Sequence, residues 1–311
     1  MKIALILSLL GQLVAATAAW SQFPWWSLQA PAACYGSPVV VRQAQAQAEG
    51  ETTGPVDGPA PTRPGRVVYL TFDDGPNDVW TPQVLDILGQ YRVRATFMVT
   101  GGNAVRHPEL LRRMLEEGHG VGNHSYSHRY QDYQSTVAFA RDLELAEEAI
   151  LLATGRMTHI YRPPGGPLRL TPPCRQVLEA HGYRVVGWNV SGADSCTYAV
   201  SAAQISANVL QGVRRLPAGQ PATVLLHDGT QPSSREPAPG SAGAVYAHNR
   251  QQVVEALPSI IEGLQRSGCR FEVLPEPVLA GDAAAPTTLQ QPVQSPPAPA
   301  AQGPRAIATT R

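Results

Sequence analysis

Val67-Val68-Tyr69-Leu70-Thr71-Phe72-Asp73-Asp74-Gly75-Pro76 is the stretch on which the fold of this chain turns. A run of β-favouring residues meets an Asp-Asp-Gly-Pro turn, so a buried strand is predicted over 67–72, ending at Asp73. Thr81-Pro82 then reads as a helix start, a capping hydroxyl ahead of a proline at the first helical position, with Val84, Leu85 and Leu88 spaced for one buried face. Outward from this unit the pattern recurs. Strands are predicted over 95–99, 120–123, 160–162, 184–189, 223–226 and 271–274, and helices over 108–117, 135–153, 172–181, 202–210 (weaker) and 250–266. Seven strands alternating with helices predict an α/β fold with a parallel sheet, open or closed into a barrel.

Parallel α/β architectures build their sites at the carboxyl ends of the strands. There the sequence places Asp73-Asp74, then His124 with His128 four residues on, then Arg162, then His227-Asp228, while the loop after the fifth strand carries Asp194. Each has a bland reading alone: a solvated turn, a strand-end salt bridge, a structural histidine. Their convergence on one rim outweighs any single motif. His124 and His128 can present two imidazoles to one ion, and a carboxylate from a neighbouring strand completes a set that leaves positions open for water and substrate. Ser125 stands where a zincin needs glutamate, so that class is excluded. The same ligand types suit Fe(II) oxygenases, but the adjacent Asp73 offers a second carboxylate that can take a proton from water while Asp74 holds the ion. This division favours metal-assisted hydrolysis. Arg162 can orient Asp73, His227 can protonate a leaving group and Asp194 can hold its ring.

The 24 Lys+Arg balance 24 Asp+Glu, which argues against nucleic acid as a partner. With 28 Gly and 29 Pro in 311 residues, part of the chain is expected to lie outside a packed core. Residues 1–19 carry Lys2, an apolar run and small residues around Ala16-Thr17-Ala18, the pattern of a secretory signal; Trp20, Trp25 and Trp26 keep open an uncleaved membrane anchor. Residues 20–65 read as a flexible linker and 278–311 as a disordered Pro/Ala/Gln-rich tail, leaving 66–277 as one catalytic domain. The expected location is secreted, periplasmic or cell-envelope associated. In an exported chain the four cysteines allow disulfides, and Cys174–Cys196 with Cys34–Cys269 is one of three connectivities. The stretch after Gly229, with Arg235, His248 and Arg250, reads as a surface loop that borders one side of the groove at most.

Thr71-Phe72-Asp73-Asp74-Gly75-Pro76, His124-Ser125-Tyr126-Ser127-His128, Arg162-Pro163-Pro164-Gly165 and Leu225-Leu226-His227, in that order, resemble the polysaccharide deacetylases, the NodB-like carbohydrate esterase family 4. The resemblance implies a distorted (β/α) barrel with about seven parallel strands. It also implies removal of N-acetyl groups from an N-acetylglucosamine-type polysaccharide, with one divalent metal, zinc before cobalt, nickel or manganese. Carried over by position, it makes Asp73 the base, Asp74, His124 and His128 the metal ligands, Arg162 the residue that orients the base, and His227 the acid. The backbone N–H near Gly165 would stabilise the oxyanion, and Leu225 would line the acetyl pocket if it is not plain core. Where the family has Asp-x-x-Asp-Trp, this chain has Ser191-Gly192-Ala193-Asp194-Ser195, so only Asp194 remains, as partner of His227. That departure keeps two other readings open: a non-catalytic carbohydrate-binding protein, or hydrolysis of another non-peptide C–N bond.

Overall fold

The computed structural model describes residues 65–230, 238 and 240–277. In chain order its elements are β1 (Val67–Asp73), α1 (Trp80–Tyr91), β2 (Thr96–Val99), α2 (Gly101–Arg106), α3 (Pro108–Glu116), β3 (Gly120–Asn123), α4 (Thr136–Thr154), β4 (Ile160–Tyr161), α5 (Pro172–Ala180), β5 (Arg184–Val185), β6 (Val190–Ser191), α6 (Ala202–Arg215), β7 (Ala222–His227), α7 (Ala242–Arg266) and β8 (Arg270–Phe271). The strands pair in the order β5-β4-β3-β2-β1-β7-β6, with β8 beside the start of β1, and every ladder is parallel.

One connection sets the curvature of this sheet. β5 and β6 lie at opposite ends of the strand order, yet only residues 186–189 separate them in the chain. Such a link spans at most about 17 Å, so the two sheet ends must curl towards each other. The expected fifth strand is therefore one extended segment that leaves one edge and joins the other. Among the described residues no ladder joins β5 to β6, and the sheet is an incomplete barrel in which seven parallel strands follow one another and an eighth, β8, pairs with β1.

Alternation along β1 divides the interior. Val68, Leu70 and Phe72 point outward into the main core with Val84, Leu85 and Leu88 of α1 and Leu257, Ile260 and Ile261 of α7. Phe72 stacks on Phe97 with ring centroids 5.3 Å apart. Tyr69, on the opposite face, packs with Met98, Ile160, Val186 and Leu274 inside the curl. Gly122 of β3 makes this filling possible, since a Cβ there would collide with the Met98 side chain. The inner face then turns polar towards the carboxyl ends, through Thr71 to Asp73.

Several local expectations change. The start of α1 is held by Asn77, whose Oδ1 accepts the Val79 N–H at 2.8 Å, and Thr81 lies within the helix with its hydroxyl donating to Asp228 at 2.6 Å. α2 falls between the predicted strand 95–99 and helix 108–117, where no element was expected; Gly101 is required because Ala146 of α4 packs directly on it. α7 begins well before residue 250: Ser241 caps it, accepting the Ala244 N–H at 3.3 Å. His248 is thus helical, and Arg250, where the helix was expected to begin, lies within it and is buried instead of bordering a surface loop. Cys174 and Cys196 are both buried and free in separate clusters, so that pair is not a disulfide; Cys269 is also free. Cys34, Arg235, the expected signal, almost all of the linker and the tail lie outside the described residues. No helix among the described residues is long and apolar enough to cross a membrane.

Candidate metal and catalytic site

The two turns that carry Asp74 and the His124–His128 pair are held in backbone conformations that side chains seldom adopt. Asp74, Ser125 and His128 have φ of 72°, 66° and 56°, each costing on the order of 1 kcal/mol unless the surroundings enforce it. The enforcing contacts are specific. Asn103 Nδ2 donates to the Asp74 carbonyl at 2.7 Å, and Asn123 Oδ1 accepts the Ser125 N–H at 2.8 Å. Ser125 Oγ accepts the His128 N–H at 2.8 Å, while Asp142 of α4 accepts the N–H groups of Tyr126 and Ser127 at 2.8 and 3.0 Å. The His-Ser-Tyr-Ser-His loop is pinned from both sides.

These turns bring Asp74, His124 and His128 together, all buried, with one ligand atom from each within 4.8 Å of the others. His124 Nε2 and His128 Nε2 stand 3.4 and 3.2 Å from Asp74 Oδ1, an oxygen with no hydrogen-bond partner. The other ring nitrogen of His124 lies 2.6 Å from the Arg162 carbonyl, which makes it the N–H donor and leaves the Nε2 lone pair facing the cluster. A lone pair and an unpartnered carboxylate oxygen directed at one point fit a cation, so this set could hold a divalent metal. Burial pushes the Asp74 carboxyl up, but the imidazoles of His128, His124 and His227 outweigh it and hold the group below the usual carboxylate range. Burial pushes His128 down; it acts the same way on His124, where Asp73 and Asp74 prevail and raise the ring.

Asp73 and Arg162 form one flank. Arg162 is fully buried; its Nη1 donates to Asp73 Oδ1 at 2.6 Å and to Thr71 Oγ1 at 2.7 Å, and its Nη2 to the Gly187 carbonyl at 3.0 Å. Asp73 Oδ2 faces inward, 3.7 Å from His124 Nε2. One residue therefore serves two groups, since the Arg162 carbonyl orients His124 while its guanidinium clamps Asp73.

His227 and Asp194 form the other flank. β6 and β7 lie side by side, and Asp194, reached through Ala193 at φ 64°, accepts both the His227 N–H at 2.9 Å and its Nδ1 at 3.1 Å. That fixes the proton on Nδ1 and leaves Nε2 for a ligand. Leu225 is buried on the same strand face as His227, outside the hydrophobic clusters that take Val224 and Leu226. Gly165, with φ of 73°, sits where a Cβ would overlap the Arg169 side chain and crowd the Tyr130 ring.

Three residues to which the sequence assigned no role in the site border this group. Asn103 clamps the Asp74 carbonyl and also donates to that of Thr230 at 3.0 Å. Asp228 is fully buried against Gly75, and burial pushes its carboxyl up to about 7, with Asp74 adding to the rise against the Thr81 hydrogen bond and the charge of Arg250. Arg250 reaches in from α7, its Nη2 3.5 Å from Asp74 Oδ2. For Asp228 the signal was present, directly after His227. Arg250 has none, because nothing local marks a helical arginine as inward.

A family model for polysaccharide deacetylases matches residues 60–186. The chain is 37% identical over 221 residues to a chitooligosaccharide deacetylase of Bradyrhizobium sp. (strain ANU 289), covering 69% of this chain and 90% of that protein. It is 31% identical over 228 residues to a peptidoglycan-N-acetylglucosamine deacetylase of Bacillus cereus, covering 73% and 95%. Among solved structures, a family 4 acetyl xylan esterase from Clostridium thermocellum in complex with a cobalt ion shares the fold with a TM-score of 0.53 at 30% identity, over 67% of this chain and 88% of the other. With nearly the full length of such relatives matched, and with the strand-end residues gathered on one rim, the chain belongs to the polysaccharide deacetylase family, carbohydrate esterase family 4, and is a hydrolase of that family.

Proposed function

We propose that this protein hydrolyses the N-acetyl group of N-acetylglucosamine units in peptidoglycan or a chitooligosaccharide, using one divalent metal, zinc, held by Asp74, His124 and His128. The observation that carries this reading is the buried Asp74-His124-His128 cluster flanked by a clamped carboxylate on one side and a carboxylate-held imidazole on the other. The names of the Bradyrhizobium and Bacillus cereus relatives support the substrate class. When bound there, the cation supplies Lewis-acid polarisation of the amide carbonyl and makes water easier to deprotonate.

The rest falls to the chain's own groups. Arg162 occupies Asp73 Oδ1, so Oδ2 is the atom that accepts a proton from the attacking water. The oxygen of that water bonds to the acetyl carbon while the main-chain N–H near Gly165 stabilises the developing negative charge. His227 acts in its doubly protonated form, keeping Nδ1–H on Asp194 and giving the Nε2 proton to the sugar nitrogen as the C–N bond breaks, because an amide anion is too poor a leaving group to depart unprotonated. Acetate and a free amine result. Leu225, on the His227 face of β7, borders the acetyl methyl. The secretory pattern of residues 1–19 supports a site of action in the cell envelope or outside the cell.

The test is acetate release by the full chain from N-acetylglucosamine oligomers and from peptidoglycan, metal-stripped and after zinc is restored, beside Asp74→Ala. Release that depends on zinc and is lost in the variant is the expected result. Zinc-loaded protein that releases no acetate from either polymer would refute the reading.

A further inference from the structure

Arg250 is buried within α7, 3% exposed, at the position where the sequence predicts that helix to begin. Its guanidinium is divided among three parts of the site. Nε donates to the Gly229 carbonyl at 2.5 Å, on the loop that follows His227. Nη1 donates to the Asp194 carbonyl at 3.0 Å and lies 3.6 Å from Asp194 Oδ2, the oxygen that holds His227. Nη2 stands 3.5 Å from Asp74 Oδ2, the carboxylate oxygen turned away from the two histidines. The preceding residue, Asn249, is also buried but meets only main chain: it accepts the Val200 N–H at 2.9 Å and donates to the carbonyls of Cys196 and Tyr198 at 3.3 and 3.1 Å.

The geometry points to Arg250 as a positioning residue that couples the metal-binding carboxylate Asp74 to the Asp194–His227 pair, so that both halves of the site take their register from one helical side chain. This inference rests on the functional reading above and adds a residue to it. A planar guanidinium can address three acceptors in fixed directions, whereas an ammonium on a flexible stem cannot. By holding Asp74 Oδ2, Arg250 aims Oδ1 at the imidazoles, the kind of outer support whose loss commonly weakens metal binding about 10- to 100-fold. Asn249 serves as the structural comparison, since it ties α7 to the same loop without touching a catalytic side chain.

The experiment measures zinc affinity by chelator competition, and kcat and KM on an N-acetylglucosamine tetramer, for the full-length wild type, Arg250→Gln, Arg250→Lys and Asn249→Ala, with circular dichroism and Tm on each. Arg250→Gln is expected to bind zinc about tenfold more weakly or worse and to lose about 100-fold in kcat, with KM within about threefold of wild type. Arg250→Lys should recover part of both losses, and Asn249→Ala should lower Tm with zinc affinity within about threefold. Combined with Asp194→Asn, the Arg250→Gln loss in kcat should be far from additive, as for residues acting through one another. Folded Arg250→Gln with wild-type zinc affinity and kcat would overturn the inference, as would equal zinc losses in Arg250→Gln and Asn249→Ala. Should Arg250→Gln not fold, Arg250→Lys decides: weakened zinc binding supports the coupling, wild-type affinity and kcat refute it. A wild type that neither binds zinc nor releases acetate would instead bring down the functional reading and this inference together.

Discussion

The two halves of the site are built differently. Asp73, Asp74, His124, His128 and Arg162 come from β1, the β3 end and the β4 end, and three short stretches hold the whole group. Asp194, on the loop after β6, and His227, at the end of β7, come from the part of the chain beyond residue 186 and depend on α7 arriving from further along still. In the metal half, restraint is mostly local: Asn123 fixes Ser125, Ser125 fixes His128, and left-handed turns keep the ligands aimed. In the acid half it is long-range, through Asn249 and Arg250. The metal half should therefore fail all at once, whereas loss of the His227 side chain alone should leave metal binding intact, Arg250 being the tie between the two halves.

The heaviest loss expected is that of Asp74→Ala, which removes the anionic ligand. Metal content after dialysis, read by atomic absorption, should fall with activity to background; retained stoichiometric zinc would show that the histidines suffice. Asp73→Asn should lose about 10³-fold in kcat with zinc content unchanged, because the variant cannot take the proton yet still accepts the Arg162 hydrogen bond. A matching loss of zinc would merge two roles that the geometry keeps apart. His227→Ala should cost about 100-fold on an N-acetyl substrate and far less on an aryl acetate, whose leaving group departs without a proton. Equal losses on both would deny His227 the part of acid.

The smallest effect concerns the seam between the halves, where Asp228 lies buried beside Gly75. Its folded-state pKa of about 7 exceeds the ordinary 3.8, so between those values the folded state keeps a proton that the unfolded chain has released. Stability contributed by this group declines as pH rises through that window and stays lower above it. In the metal-free protein, Asp228→Asn should flatten that decline and raise Tm by a few degrees at pH 8 while changing little at pH 4. An unchanged Tm-against-pH difference between variant and wild type would show that Asp228 does not titrate in this way.

Much of this architecture was legible along the chain. Apolar runs of strand length, each closed by turn residues and followed by a helical period, report burial on both faces of a parallel sheet, and every such run became a strand segment. The strand-end residues follow directly, because consecutive positions in a strand share one exit from the sheet. Less was visible where structure depends on contacts distant in sequence. α2 was hidden because glycine is a poor helix former, and Gly101 opens this helix for close packing against α4. The split of residues 184–191 between two sheet edges follows from closure of the whole sheet, to which no local propensity responds. The separation of Cys174 from Cys196 follows from which cluster each residue enters.

The residue order alone thus determined the chemical inventory of the site, since an acid pair, two histidines at fixed spacing and a strand-end histidine are properties of short segments. Which oxygen of Asp73 is left open, which nitrogen of His124 faces the cluster, and that Arg250 turns inward were decided only by the tertiary structure. Those outcomes depend on the relative placement of β1, β4, β7 and α7, and a buried charge can be stable only where folding brings its partners to meet it.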